Sequence, residues 1–544
     1  MRKQKYPVLI VGGGLVGLST ALFLSHHNIA YYVIERHHGT SIHPKARGIN
    51  TRSMELFRPF QIEEQIRIAG EALSKGGGGL LQANTLIEAD FSTIKDLIHQ
   101  LVSETEQLSP TRGSFTTQDL MEPILLQAIQ AYKADVQFSM ELVSFTQDDQ
   151  GVTAIIQNRD TGVRETIYAE YLIAADGANS RIRQALGIQM SGRGTLSYNM
   201  NLYFRANLKP YVEGREFSIC NINHPEATGT LVSINNDDLW TFHVNFDPAR
   251  GESLSDFPDE RCIQLVRKAV GNPELDVKMI SVLPWEAAVK VADRFQVGRI
   301  FLVGDAAHLM PPTGGFGGNS GIADGHNLAW KLAAVLKGMA APELLSTYEI
   351  ERKAVSHFTT EQAGLIANTG QLNMVSSKKE SIAPVASNNH VIMRYQYRSS
   401  AVIAEDSDAE RSLLPYVEQL DGKPGTRAPH IWLERNGHPI STIDLFNKNF
   451  VLLADEYSTW IHAAQYVAAD FNNLTIDIYT VGQTGSLQDP ENRWHKIYRI
   501  PAGGAMLIRP DGFVAWRSGQ AGNSTETLSC VMKQLLSLEN YSEH

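Results

Sequence analysis

Cysteine is scarce in this 544-residue chain: Cys220, Cys262 and Cys530 stand far apart and form no CxxC pair. That excludes a disulfide framework and a cysteine-rich zinc site, predicts no bound metal, and suits a reducing cytoplasm. Long apolar runs are missing too. The N-terminus, MRKQKYPVLIVGGG, is basic then apolar like a leader peptide, but the run soon breaks into glycines. It reads instead as a first β-strand. No stretch is long enough to span a bilayer. Positive charge is in deficit, with 48 Lys and Arg against 59 Asp and Glu, a formal net charge of −11. Nucleic acid and anionic membranes are therefore not expected partners. What is present, 43% hydrophobic and 20% charged residues, describes a globular protein long enough for two or three domains.

The chain opens with a βαβ pattern: a strand over Pro7 to Val11, a helix over Leu15 to Ser25, a second strand over Tyr31 to Glu35. Gly76 to Gly79 reads as a loop without a phosphate role, since no strand precedes it. A polar stretch follows near Glu104. Gln118 to Lys133 reads as a helix with Pro123 in its first turn. Tyr168 to Ala174 reads as a strand running into Asp176-Gly177. From about Ser191 to Val282 short runs alternate apolar and polar, predicting an antiparallel sheet with one face towards a substrate pocket. A strand over Arg299 to Val303 and helices from Ser320 to Leu336 and Pro342 to Ala363 come next. Asn368 to His390 reads as a long loop. GKPGTRAP, Gly422 to Pro429, marks a domain boundary. Strands over Phe450 to Ala454, Leu474 to Val481, Ala505 to Ile508 and Phe513 to Arg517 follow it, with Arg509-Pro510-Asp511-Gly512 as a turn.

Three motifs carry chemistry. Gly12-x-Gly14-x-x-Gly17 sits between strand and helix, and Glu35 ends the next strand, 18 residues on. A tight turn, a helix N-terminus open to a pyrophosphate and an acid for the ribose make a dinucleotide site, with Leu15, Val16 and Arg36 at its edges. A glycine-rich turn without ligand is the bland alternative, and the register of all three parts disfavours it. Gly304-Asp305-Ala306-Ala307-His308 follows a later strand and leads into Pro311-Pro312-Thr313-Gly314-Gly315-Phe316-Gly317-Gly318-Asn319. Asp176-Gly177-Ala178-Asn179-Ser180-Arg181 is the third.

In this order the three segments resemble the motifs of class A FAD-dependent monooxygenases, the aromatic hydroxylases. The resemblance implies that Asp305 binds the FAD ribityl chain, and that Pro312, Gly315, Gly317, Gly318 and Asn319 bring a helix N-terminus to the flavin edge. It implies that Asp176 and Gly177 lie near FAD and the route of NADPH (or NADH). Gln118, in Thr117-Gln118-Asp119, matches a residue that contacts FAD. His43-Pro44-Lys45-Ala46-Arg47-Gly48 resembles the loop whose Arg supports FAD; Lys45 holds that position, Arg47 is near, and either could serve. The chain from Gly425 onward resembles the thioredoxin-like domain of phenol and polyketide hydroxylases, without the cysteines for dithiol chemistry.

The implied architecture is mixed α/β and α+β: a Rossmann-like FAD-binding domain (1–75, 110–190, 281–368), a β-sheet substrate domain (76–109, 191–280), a linker (369–424) and a thioredoxin-like domain (425–544). The implied reaction is hydroxylation of an aromatic or polyketide-type small molecule with NAD(P)H and O2, through a flavin C4a-hydroperoxide. Baeyer–Villiger oxygenation of a polycyclic ketone and a non-turnover FAD-binding protein are the rivals. His308, Phe316 and Pro312 are candidates for catalysis. Tyr203, Arg205 and Trp285 are candidates for substrate contact. A homodimer is the expected assembly.

Overall fold

The computed structural model describes residues 4–74, 79–96, 107–132, 135–369, 372–373, 385–405, 416–519 and 523–538. Gly76 to Gly78, the stretch around Glu104 and much of Asn368 to His390 lie outside them. Gly79 opens a strand, and Asn388–Ile392 is a short helix.

The first sheet has eight strands. Its centre is β1 (Gln4–Val11), flanked in parallel by β2 (Tyr31–Ile34) and β3 (Arg164–Ala174). Val8, Leu9 and Ile10 are all fully buried, as a strand covered on both faces requires. Helix α1 (Leu15–His26) crosses from β1 to β2. Helix α2 (Gln118–Gln130) packs beside α1. Pro123 is the sixth residue of α2, not in its first turn.

The second sheet is mainly antiparallel, and its long strands come from one stretch of chain: β4 (Met190–Arg205), β5 (Ile219–Ile222), β6 (Gly229–Ser233), β7 (Leu239–Phe246) and β8 (Lys278–Ala292). Alternation gives it two unlike faces. Met200, Leu202, Phe204, Leu231, Trp240 and Phe242 pack in one apolar core with Cys262, Val266 and Ala269 of the Asp259–Val270 helix. Asn199, Asn201, Tyr203, Thr241 and His243 face the other way. β9 (Ile300–Leu302) returns the chain to the first sheet, parallel to β3.

Two long helices, α3 (Gly317–Leu336) and α4 (Ser346–Asn368), follow. A Cβ on Gly321 would lie 2.5 Å from Val16 Cγ2, and one on Gly325 would lie 2.2 Å from Thr20 Oγ1, so small residues let α3 lie close on α1. A third, seven-stranded sheet spans Trp432 to Ser518, with the helices Trp460–Asp470 and Ser524–Leu535 on one side. This thioredoxin-like unit shares a core with α3, where Trp330 meets Phe450 edge-on, ring centroids 6.0 Å apart.

Candidate cofactor and substrate cleft

The three motifs converge. Gly12 has φ of 111°, and a Cβ there would stand 2.2 Å from the Ala175 carbonyl, so the first motif is pressed against the strand end carrying the third. Val16 touches Gly304 of the second motif: a Cβ on Gly304 would lie 3.0 Å from Val16 Cγ2. Leu15 is as close to Gly318, 3.1 Å by the same construction. Arg183, which the motifs did not single out, clamps the loops by donating to Ala306 O (3.0 Å) and Ala178 O (2.9 Å).

Around this junction is a cleft of donors and acceptors suited to FAD. Glu35 accepts from the Gly13 N–H at 2.7 Å and the His37 N–H at 2.9 Å. No side chain caps α1 at Gly14 or α3 at Phe316. Asp305, Pro312, Gly314 and Gly315 are exposed along the cleft. The enclosing protein raises the Asp305 carboxyl pKa, which His308 and Lys45 counter. Asp176 caps the turn after it by accepting from Ile182 N (3.2 Å), while its Oδ1 is buried and unpartnered. Burial raises its pKa. Thr116 Oγ1, Thr117 Oγ1 and Asp119 Oδ1, beside Gln118, are orphaned too. Buried polar atoms seldom stay unpaired, so this set fits a ribose- and phosphate-bearing cofactor.

Several expected site residues do something else. Phe316 is buried against Met310, Ala363 and Val391, its ring packed beneath Gly314. His308 is fully buried, its Nε2 bonded at 2.7 Å to Asp324. Asp324 also accepts from Gly304 N (3.0 Å) and Arg352 Nε (2.7 Å). Burial opposes its charge, but Arg352 and His308 prevail and hold the carboxyl near 2. This triad supports the Gly304–Asp305 turn from behind, so His308 positions rather than reacts. Asn319 uses its whole amide as a staple, accepting from Asn50 N (2.9 Å) and donating to Gly48 O (3.0 Å) and Gly315 O (2.8 Å). Arg36 is exposed beyond β2. Arg205 is exposed and paired with Asp238 at the end of β4.

Lys45 and Arg47 take different directions. Arg47 turns to the second sheet and donates to Ser233 O (2.6 Å) and Ser218 Oγ (3.2 Å). Lys45 stays exposed, and its charge is felt at Asp305.

Arg47 and His43 roof the polar face of the second sheet. The His43 ring meets Tyr203 at 5.5 Å, and Trp285 Nε1 reaches His243 Nδ1 at 3.3 Å. Both ring nitrogens of His43, Arg47 Nε, Asn199 Oδ1 and Asn201 Oδ1 are buried without partners. Burial, with Lys45, pushes His43 down to about 4; burial, with His43 and Arg47, pushes His243 down to about 3. Both imidazoles are thus neutral at physiological pH. The sequence carried one sign of this face, the Asn199-x-Asn201-x-Tyr203 alternation; nothing local marked His43 or His243.

Comparison with known proteins agrees with this geometry. A family model described as FAD binding domain matches residues 5–363, and one described as aromatic-ring hydroxylase, C-terminal, matches 421–537. A putative polyketide hydroxylase of Streptomyces halstedii is 40% identical, covering 98% of both chains. The tetracenomycin A2 monooxygenase-dioxygenase of Streptomyces glaucescens is 39% identical over 95% of this chain and 94% of its own. The 4-methyl-5-nitrocatechol 5-monooxygenase of a Burkholderia species is 37% identical over 96% and 95%. Among solved structures, the ternary complex of aklavinone-11 hydroxylase with FAD and aklavinone superposes with a TM-score of 0.89 at 36% identity, over 99% of this chain and 100% of that one.

Proposed function

The chain belongs to the FAD-dependent aromatic-ring hydroxylases, and from that membership we propose that it oxygenates a polycyclic, phenol-bearing polyketide on the polar face of the second sheet. It is an FAD-dependent monooxygenase; the family and the relatives named above agree on that. The observation that carries the substrate reading is the group of buried, unpartnered polar atoms on one sheet face beside aromatic side chains. A flat, oxygen-rich aromatic supplies the missing hydrogen bonds and lies against Tyr203 and Trp285. The nitrocatechol-acting relative shows that smaller phenols are taken within the family. The putative polyketide hydroxylase, at 40% identity over nearly the whole chain, favours the larger class.

Bound FAD supplies the redox chemistry, accepting a hydride from NAD(P)H and activating O2. The remaining work falls to the protein. With FAD bound, Glu35 would hold the ribose, the α1 N-terminus the diphosphate and Asp305 the ribityl chain, and the α3 N-terminus would stabilise negative charge on the flavin. His43, neutral by burial, accepts a hydrogen bond from the phenolic O–H at a ring nitrogen, which raises the electron density of the ring. Asn199, Asn201 and Arg47 orient the other oxygens. The closed polar face keeps water from the reacting atoms. The acidic surface and three free cysteines fit a cytoplasmic enzyme.

The test is aerobic NADPH oxidation by the FAD-loaded chain with a panel of polycyclic phenols and simple phenols, and mass spectrometry of the products. A gain of one oxygen on a polycyclic phenol is expected. Turnover of simple phenols alone would sink the substrate reading. A ketone converted to an ester would move the reaction to Baeyer–Villiger oxygenation.

A further inference from the structure

The anion-binding end of α1 already carries an anion of the protein's own. Glu122, on α2, is 1% exposed. Its Oε2 accepts from the Ser41 N–H at 2.6 Å, and its Oε1 accepts from Gln118 Nε2 at 2.6 Å. The Leu15 N–H, at the first residue of α1, acts on it as a favourable dipole. A Cβ on Gly14 would lie 3.5 Å from Oε1. The carboxylate therefore sits beside Gly14 and Leu15, where the fingerprint presents backbone N–H groups to a diphosphate.

A carboxylate and a diphosphate cannot share one helix end without strong repulsion, because like charges at a few ångströms in a poorly solvated site are costly. Glu122 has little room to leave: α2 holds it from below, and Ser41 and Gln118 grip both oxygens. We propose that Glu122 is the stand-in anion for the cofactor diphosphate, and that FAD binding neutralises it by uptake of one proton from solvent. The resulting carboxylic acid keeps one oxygen as acceptor and turns its O–H towards a diphosphate oxygen, so repulsion becomes a hydrogen bond. This inference rests on the FAD reading above.

The surroundings already lean this way. Burial raises the Glu122 carboxyl pKa, and the Glu35 carboxylate raises it further; the Ser41, Gln118 and Leu15 donors oppose but do not cancel this. Glu35, at the end of β2, is the charged neighbour acting on it. The groups facing it from the 41–44 loop, α1 and α2 are the neutral Ser41 N–H, Leu15 N–H and Gln118 amide.

The readout is binding, not turnover. The full-length chain is stripped of flavin and titrated with FAD, followed by flavin fluorescence, from about pH 6 to about pH 9. For one proton taken up, the wild-type Kd should rise by up to about tenfold per pH unit on the alkaline side. Glu122→Gln should bind with the low-pH affinity of the wild type throughout, without that slope. Glu122→Asp, which keeps a carboxylate, should keep it. ADP should show the same wild-type slope, and adenosine none. Calorimetry of the wild-type chain in buffers of different ionisation enthalpy should show net proton uptake, a result that depends on no variant. Equal slopes in the wild type and Glu122→Gln, or no proton uptake by the wild type, would overturn the inference and leave FAD binding intact. A wild-type chain that takes no FAD at any pH would fail the cofactor reading itself.

Discussion

Single residues here divide into those that meet ligand and those that hold them in place. In the proposed function Asp305 and His43 are of the first kind. Asp305→Ala removes a charged hydrogen-bonding group, a loss of about 1.5–3 kcal/mol, so FAD retention should fall at least tenfold while the fold, read by circular dichroism, is kept. His43→Phe keeps a flat ring but no acceptor. Losing that hydrogen bond costs about 1 kcal/mol or more, so kcat on a phenolic substrate should drop about fivefold to tenfold. An equal drop on a substrate lacking the phenol would refute the hydrogen-bonding role. Gly12 is set by space: a Cβ 2.2 Å from the Ala175 carbonyl has nowhere to go. Gly12→Ala should yield chain that does not retain FAD after gel filtration.

At the scale of elements, the cleft depends on how loops are backed. The Gly304–Asp305 turn rests on Asp324 of α3, itself held by Arg352 of α4 and by His308. Removing one partner leaves an uncompensated buried charge, which costs about 3–5 kcal/mol. Arg352→Met should therefore lower the denaturant midpoint and weaken FAD binding together. If only stability moves, the triad is a structural strut without effect on the cofactor turn. The helical pattern of α3 and α4 was legible from apolar spacing. That Asp324, Arg352 and His308 meet was not, because they come from two helices and a short strand.

The whole molecule is tied together by buried charge as much as by its shared apolar core. Arg509 and Asp511, from the turn Arg509-Pro510-Asp511-Gly512, reach into the FAD-binding part. Arg509 Nη1 pairs with Glu351 of α4 at 2.6 Å, and Asp511 accepts from Trp330 Nε1 of α3 at 3.1 Å. Lys331 completes the group, 2.8 Å from Glu351. Arg427 bonds Glu55 from the same side, its Nε at 2.9 Å. The C-terminal unit is thus part of the scaffold under the flavin helix. Arg509→Met should destabilise the whole chain by about 3–5 kcal/mol in one cooperative transition, not release a separate domain. Acid should act on the whole molecule too. His27, His43, His243 and His326 are held neutral by burial, with pKa values below that of a free histidine. Between pH 6.5 and about 4 the unfolded chain binds protons that the folded chain does not. Stability must therefore decline as pH falls through that window. A Tm that stays flat from pH 6.5 to 4 would contradict this burial.

By itself, the sequence determined the elements whose signals are local: the βαβ start, the glycine fingerprint with Glu35, the Asp305 turn, and the alternation that builds the second sheet. Period and glycine placement act within a few residues, so they survive in one dimension. Folding in three dimensions set where Arg47 points, made Phe316 core and Asn319 a staple, and put His43, Asn201 and Tyr203 on one buried polar face. Only it put Glu122 at the helix end meant for a phosphate. Those facts depend on groups far apart in the chain meeting in a low-dielectric interior, and no local pattern encodes such a meeting.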